Sequence, residues 1–364
     1  MGVVKLGDVA RESRLKWTKS KQDVPIVGLE HLIPDEIRFD AYDINTDNTF
    51  SKRFVKGQVL FGRRRAYQRK AAIAEFDGIC SGDITVIEAI EGKMVPELLP
   101  FIIQTPVFFD YANRGSAGSL SPRVKWEHLA DYEFELPPLE EQKILADKLW
   151  AAYRLKEAYK KLLDATDEMV KSQFIEMFGN PVTNSKSWQT KAIMEVAPEQ
   201  PSKKRMQGKV WLLNLDMIES NTGKVIEKVY ETSENTLSVQ PFDEGNVLFS
   251  KLRPYLNKVV VPDEYGLATT ELVPLRPNQE KLHKVFLSYL LRSQQFVTFA
   301  NKISGGTKMP RMPLAELRKF ECILPPMSEQ LKFVGITEQA DKSKFELRKS
   351  IDAIDQVIKS LING

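Results

Sequence analysis

The sequence predicts an α/β (α+β) protein of two homologous mixed domains with pseudo-two-fold equivalence, separated by two long antiparallel coiled-coil helices. Three observations carry this. First, Gly57-Gln-Val-Leu-Phe-Gly-Arg-Arg-Arg-Ala-Tyr-Gln-Arg-Lys70 returns as Gly245-Asn-Val-Leu-Phe-Ser-Lys-Leu-Arg-Pro-Tyr-Leu-Asn-Lys258, a shift of 245 − 57 = 188 positions. The same shift relates Pro122-Arg123 to Pro310-Arg311 and Leu136-Pro-Pro138 to Leu324-Pro-Pro326. A repeat this long is a duplicated domain rather than a solenoid period. Second, each copy begins with short apolar runs broken by turn residues. Third, each copy ends in a long run almost free of proline and glycine.

In the first copy, Val24–Leu29, Val59–Phe61, Ala71–Ala74 and Ile84–Ile87 read as strands bounded by Gly57, Gly62, Asp77-Gly78 and Gly82. Residues 98–111 read as helix, broken or kinked at Pro106. The second copy repeats this with strands at Val210–Leu215, Val247–Phe249, Lys258–Val261 and Glu271–Leu275, and one helix over His283–Asn301. After each Leu-Pro-Pro step the pattern turns helical. Glu140–Phe178 has no proline or glycine, and Leu155, Ala158, Leu162, Ala165 and Met169 recur at 3-4 spacing until Gly179-Asn180-Pro181 stops the helix. Leu347, Ile351, Ile354, Ile358 and Leu361 repeat the pattern, with Gly335 as the weak point. A helix of about 36 residues spans roughly 55 Å. An exposed apolar seam on each favours mutual packing, and equivalence of the copies makes the pair antiparallel. The expected segments are 1–138 and 180–326 for the domains and 139–179 and 327–364 for the helices.

The 364 residues suffice for two cores, and 42% hydrophobic with 28% charged residues is the balance of a globular protein. No run approaches membrane-spanning length and the start lacks a signal-peptide core, so the expected location is the cytoplasm. Cys80 and Cys322 occupy unrelated repeat positions and read as buried free thiols.

The net charge of +3 says little, but its distribution says more. Residues 51–70 carry eight cations and no acid, and residues 245–262 carry Lys251, Arg253 and Lys258; Arg114, Arg123 and Lys125 match Lys302, Lys308 and Arg311. Basic stretches at equivalent positions suit a polyanion, although a solvated face is the competing reading of any one of them. Candidate DNA-binding residues are therefore Arg63, Arg64, Arg65, Tyr67, Arg69, Lys70 and Arg123 in the first copy. Lys251, Arg253, Tyr255, Lys258, Lys308 and Arg311 are their counterparts in the second. Tyr67 and Tyr255 either pack beside the strand or stack on nucleic acid. Arg123 and Arg311 either touch DNA or pair with the fold's own carboxylates. Glu141, Gln142, Glu329 and Gln330, at the helix starts, suit capping and partner docking.

Catalytic motifs are missing. There is no Asn/Asp-Pro-Pro-aromatic turn for an amino-methyltransferase and no phosphate loop, and His31, His128 and His283 lack metal-ligand spacing.

Phe249-Ser-Lys-Leu-Arg-Pro-Tyr-Leu-Asn-Lys258, Gly305-Gly-Thr-Lys-Met-Pro-Arg311 and Ile323-Leu-Pro-Pro-Met-Ser-Glu-Gln330 resemble the specificity subunit of type I restriction-modification systems, and the likeness runs through the whole chain. The chain is short for that family, and its first copy has Gly-Arg-Arg-Arg-Ala-Tyr where Ser-Lys-Leu-Arg-Pro-Tyr is more typical. The resemblance implies two target-recognition domains with two spacer helices and a non-catalytic reader of two separated half-sites on double-stranded DNA. It further implies two methyltransferase (modification) subunits and, joining later, restriction/translocase subunits. S-adenosylmethionine, ATP and Mg would belong to those partners, leaving this chain with no cofactor or metal. A reader within a differently organised restriction or methylation system, and a coiled-coil assembly scaffold that binds no DNA, are the alternatives.

Overall fold

The structure is a computed structural model describing residues 2–118, 120–204, 208–232 and 238–363. The chain divides into two compact units, Met1–Tyr159 with Lys349–Gly364, and Lys160–Arg348. Each long helix is thus shared between units, instead of standing apart as its own segment.

In the first unit an antiparallel sheet orders its strands Ala10–Glu12, Ile84–Ala89, Val59–Gly62, Ala71–Ile73. A three-stranded sheet places Gly78–Cys80 between Ile26–Val27 and Lys52–Phe54, and Gly2–Lys5 pairs with Glu133–Leu136. The second unit holds a sheet ordered Val229–Thr232, Lys209–Leu213, Gly266–Thr269, Val239–Phe242. Beside it, Val247–Ser250 lies between Val259–Val260 and Leu272–Leu275, and Thr190–Ala192 pairs with Glu321–Ile323. Strands at the expected central positions form in both units. The run Val24–Leu29 contracts to Ile26–Val27 because Pro25 cannot donate and the chain enters a 3₁₀ turn at Leu29–His31. Gly78, expected in a turn, instead begins a strand, where Pro25 and Phe54 crowd its Cα so closely that a Cβ would not fit.

The helix expected over His283–Asn301 is two helices, Lys284–Arg292 and Gln294–Ile303. Ser293 takes extended backbone between them, and its Oγ accepts the Phe296 N–H at 3.2 Å. Thr105, its equivalent (293 − 105 = 188), caps Pro106–Arg114 in the same way. A hydroxyl caps the later helix in both units, Leu99–Ile103 preceding it in the first, and only Pro106 advertised the break.

The first long helix runs Leu139–Phe178 and ends at Gly179 with φ +76°; the second runs Met327–Asn363. Within the first unit, Lys156 binds Asp355 at 2.6 Å, while Leu145 lies near Leu361 and Ile362, so the helices run antiparallel there. Within the second unit Asp167 binds Lys344 at 2.8 Å and Phe174 meets Phe333 at 5.3 Å, again antiparallel. The two ion pairs are repeat equivalents, since 344 − 156 = 188 and 355 − 167 = 188.

The packed face of the first helix is not the expected seam. Ala146, Leu149, Tyr153, Val170 and Phe174 are buried, whereas Leu155, Ala158, Leu162, Ala165 and Met169 are all exposed. Both stripes have 3-4 spacing. Lys156 and Asp167 sit on the buried one, where their charges are neutralised across the helix pair, so that face looks polar in the sequence. Cys80 and Cys322 are buried free thiols, and burial pushes both up to about 12. No helix among the described residues is long and apolar enough to cross a membrane.

Candidate nucleic-acid interface

Each unit builds the same device from the strand that the repeat had marked. Val59–Gly62 leads into a 3₁₀ turn at Ala66–Gln68, and Val247–Ser250 into Pro254–Leu256. Arg65 (φ 54°) and Arg253 (φ 48°) open the turns in the left-handed region, while Arg69 (φ 54°) and Asn257 (φ 49°) close them. A non-glycine residue pays about 1–2 kcal/mol for that conformation. The surroundings that hold it are shared. The Arg65 N–H donates to Pro122 O at 2.8 Å and the Arg253 N–H to Pro310 O at 2.7 Å; Val124 and Met312 in turn donate to Arg63 O and Lys251 O. These bonds fasten a second loop beside each turn, closed by paired Ala117 and Arg123 in one unit and Gly305 and Arg311 in the other. Gly118 (φ 114°) and Gly306 (φ 101°) supply the backbone freedom that closure needs.

A carboxylate completes the junction. The Arg123 Nε donates to Asp83 Oδ1 at 2.7 Å, and Arg311 grips Glu271 through Nε and Nη2 at 3.0 and 2.8 Å. The sequence reading missed Asp83 and Glu271, although 271 − 83 = 188 would have paired them. Burial alone would push the Asp83 carboxyl up; hydrogen bonds and charge from Arg123 and Arg64 outweigh it and hold the group below the usual aspartate range. The junction therefore stabilises the fold fully above the pKa of unfolded aspartate, and loses that contribution as pH falls through the lower folded value. In thermal melts over acidic pH, the advantage of the natural chain over Asp83→Asn is expected to shrink as pH falls; a gap that widens would contradict the assignment.

The remaining candidates separate by what holds them. Tyr67 and Tyr255 are 56% and 46% exposed, which removes the packed-beside-the-strand reading. Arg63, Arg65, Lys251, Arg253 and Lys308 have no charged partner among the described residues, and the Nε atoms of Arg63, Arg65 and Arg253 are buried without an acceptor. Other cations serve the fold. Lys70 and Lys258 donate to Leu29 O and Leu215 O at 2.7 and 2.6 Å. Arg69 pairs with Asp35 at 2.5 Å and lies over the Phe109 ring. Arg64 pairs with Asp83 at 3.3 Å and donates to Ser121.

The docking assignment to Gln142 and Gln330 is corrected. Both are buried: Gln142 accepts from the Val95 N–H and donates to Pro137 O, while Gln330 accepts from the His283 N–H and donates to Lys281 O and Pro325 O. Each ties a helix start to its own unit and has no surface to offer. Glu141 is exposed, and Glu329 is half-buried and paired with Lys332.

Glu30, His31 and Asp43 lie close enough to share an ion. His31 Nδ1 accepts the Gly28 N–H at 2.9 Å, so a neutral ring carries its proton on Nε2, towards Asp43 at 3.7 Å.

Comparisons with known proteins agree with this duplicated arrangement. The family model for the type I restriction modification DNA specificity domain matches twice, over residues 1–165 and 185–356. The type I restriction enzyme EcoDI specificity subunit of Escherichia coli is 25% identical over 151 residues, 40% of this chain and 33% of that protein's length. The MjaVIII specificity subunit of Methanocaldococcus jannaschii is 24% identical over 398 aligned positions, 99% of this chain and 91% of its own. Among solved structures, the type I restriction-modification S subunit from M. genitalium aligns with TM-score 0.57 at 10% identity, covering 100% of this chain and 95% of that one. A chain from a study of complex assembly and conformational transition of the type I R-M system aligns with TM-score 0.58 at 17% identity, covering 99% and 96%. With two matched domains spanning most of its length and a basic turn built alike in both units, the chain belongs to the specificity-subunit family of type I restriction-modification systems.

Proposed function

We propose that the chain is the DNA-reading, non-catalytic subunit of such a complex, recognising two unlike half-sites on one duplex and recruiting two methyltransferase subunits and, through them, restriction subunits. The observation that carries this reading is the twice-built turn in which Arg65 and Arg253 are held left-handed beside an exposed tyrosine. Cations without internal partners suit phosphates, and tyrosines can pack on sugar or base. Arg63, Arg65 and Tyr67 form one contact set, and Lys251, Arg253, Tyr255 and Lys308 the other. The half-sites differ because Arg63 and Arg64 in one unit stand where Lys251 and Leu252 stand in the other.

For docking, the exposed row Leu162, Ala165 and Met169 of the second unit is the better candidate than the buried glutamines. An apolar row at coiled-coil spacing suits a partner helix. S-adenosylmethionine, ATP and Mg chemistry belongs, in this reading, to the partners.

The test uses the purified chain with duplex DNA and labelled S-adenosylmethionine. Salt-dependent binding without methyl incorporation, and incorporation once the methyltransferase is added, is the expected result. Incorporation by the chain alone would refute the non-catalytic role, and absence of salt-dependent binding would favour the scaffold alternative.

A further inference from the structure

Arg123 and Arg311 stand at the same repeat position (311 − 123 = 188), yet their guanidinium groups are used differently. Arg311 spends its fork internally: Nε and Nη2 both bind the Glu271 carboxylate, and Nη1 donates to Met309 O at 3.5 Å. Arg123 makes one contact, Nε to Asp83 Oδ1, leaving both terminal nitrogens without a partner among the described residues. The side chains are almost equally accessible, at 47% and 45%, so exposure does not explain the contrast.

A third residue differs between the two junctions. Asp83 Oδ2 faces the Arg64 Nη1 at 3.3 Å, and Arg64 is steadied by Ser121 Oγ at 2.9 Å. With one carboxylate oxygen turned to Arg64, the other binds Arg123 singly. In the second unit the position of Arg64 is Leu252, which has no charge, and Glu271 is left wholly to Arg311.

We propose that Arg123 presents its two terminal nitrogens to an acceptor pair on the duplex, that Arg311 is an internal strut that does not contact DNA, and that Arg64 is the positioning residue that makes the difference. The acceptor pair is either guanine O6 and N7 or two phosphate oxygens, both of which match an end-on fork. The proposal rests on the DNA-reading function, and it makes the two units unequal at a position where the sequence makes them identical.

The experiment measures binding of the full chain to a library of duplexes, with the salt dependence of the selected site, for Arg123→Lys, Arg123→Ala, Arg311→Lys and Arg64→Leu. If the pair is guanine, Arg123→Lys loses about ten-fold or more of its preference at one base pair of one half-site. If it is phosphate, affinity falls for all sequences and, for Arg123→Ala, the log–log salt slope drops by about 0.9. Arg64→Leu reproduces the Arg123→Lys loss, because the freed carboxylate oxygen can draw in the Arg123 fork. Arg311→Lys lowers the melting temperature but changes neither base preference nor slope. Equal effects of Arg123→Lys and Arg311→Lys on DNA, or no effect of Arg123→Lys and Arg123→Ala, overturn the proposal. Should the natural chain itself not bind duplex DNA, the underlying function is what fails.

Discussion

Replacing Arg65 and Arg253 together by alanine is expected to weaken duplex binding on the order of fifty-fold at about 0.1 M salt and to lower the salt slope by about 1.8, the loss of two phosphate contacts. Each arginine opens its turn in a left-handed backbone fixed by a proline carbonyl across the junction. Asparagine or glycine would sit there more easily, as Asn257 does at the end of the second turn. Arginine in both copies, at a cost to folding, supports the proposed DNA contact. Salt-dependent fluorescence titration of the double variant checks this, alongside Lys70→Ala and Lys258→Ala, whose ammonium groups already bind backbone carbonyls. An unchanged slope in the double variant would return the turn to the role of a solvated face.

Gln330→Leu is expected to destabilise the second unit by roughly 3–5 kcal/mol, because the His283 N–H and the Lys281 and Pro325 carbonyls lose their partner in a buried setting. For a unit of this size the shift in melting temperature is on the order of 10 °C. Differential scanning calorimetry measures it. Had Gln330 been a docking residue, the variant would melt normally and fail only in capturing the methyltransferase.

Much of this architecture was legible because the chain carries its own comparison. The 188-residue shift located both basic turns, and the stretches without proline located both long helices to within a residue or two. Electrostatic pairing was not legible. Arg63 and Arg64 look alike in the sequence, yet one has no charged partner among the described residues and the other is bound to Asp83, since pairing depends on which acid the fold brings near. Periodicity also could not choose between two stripes of equal spacing on the first long helix. The choice fell to Trp150, Tyr153, Phe174 and Phe178, whose bulk packs into their own units and leaves Leu155 and Leu162 outside. Gln142 and Gln330 misled for a related reason: polar residues at helix starts favour surface positions, and here each answers the unpaired backbone groups of a buried loop.

The most direct test of the account maps methylated bases in DNA from cells containing the chain and its methyltransferase, for the natural chain and for a variant lacking one heptad from each long helix. Two unlike half-sites separated by an unread spacer are expected for the natural chain. One heptad is about 10.5 Å of helix, or roughly three base pairs of duplex, so the variant should keep both half-sites and shorten the spacer by at most about that amount. A single continuous motif, or a spacer unchanged by the deletion, would contradict the account.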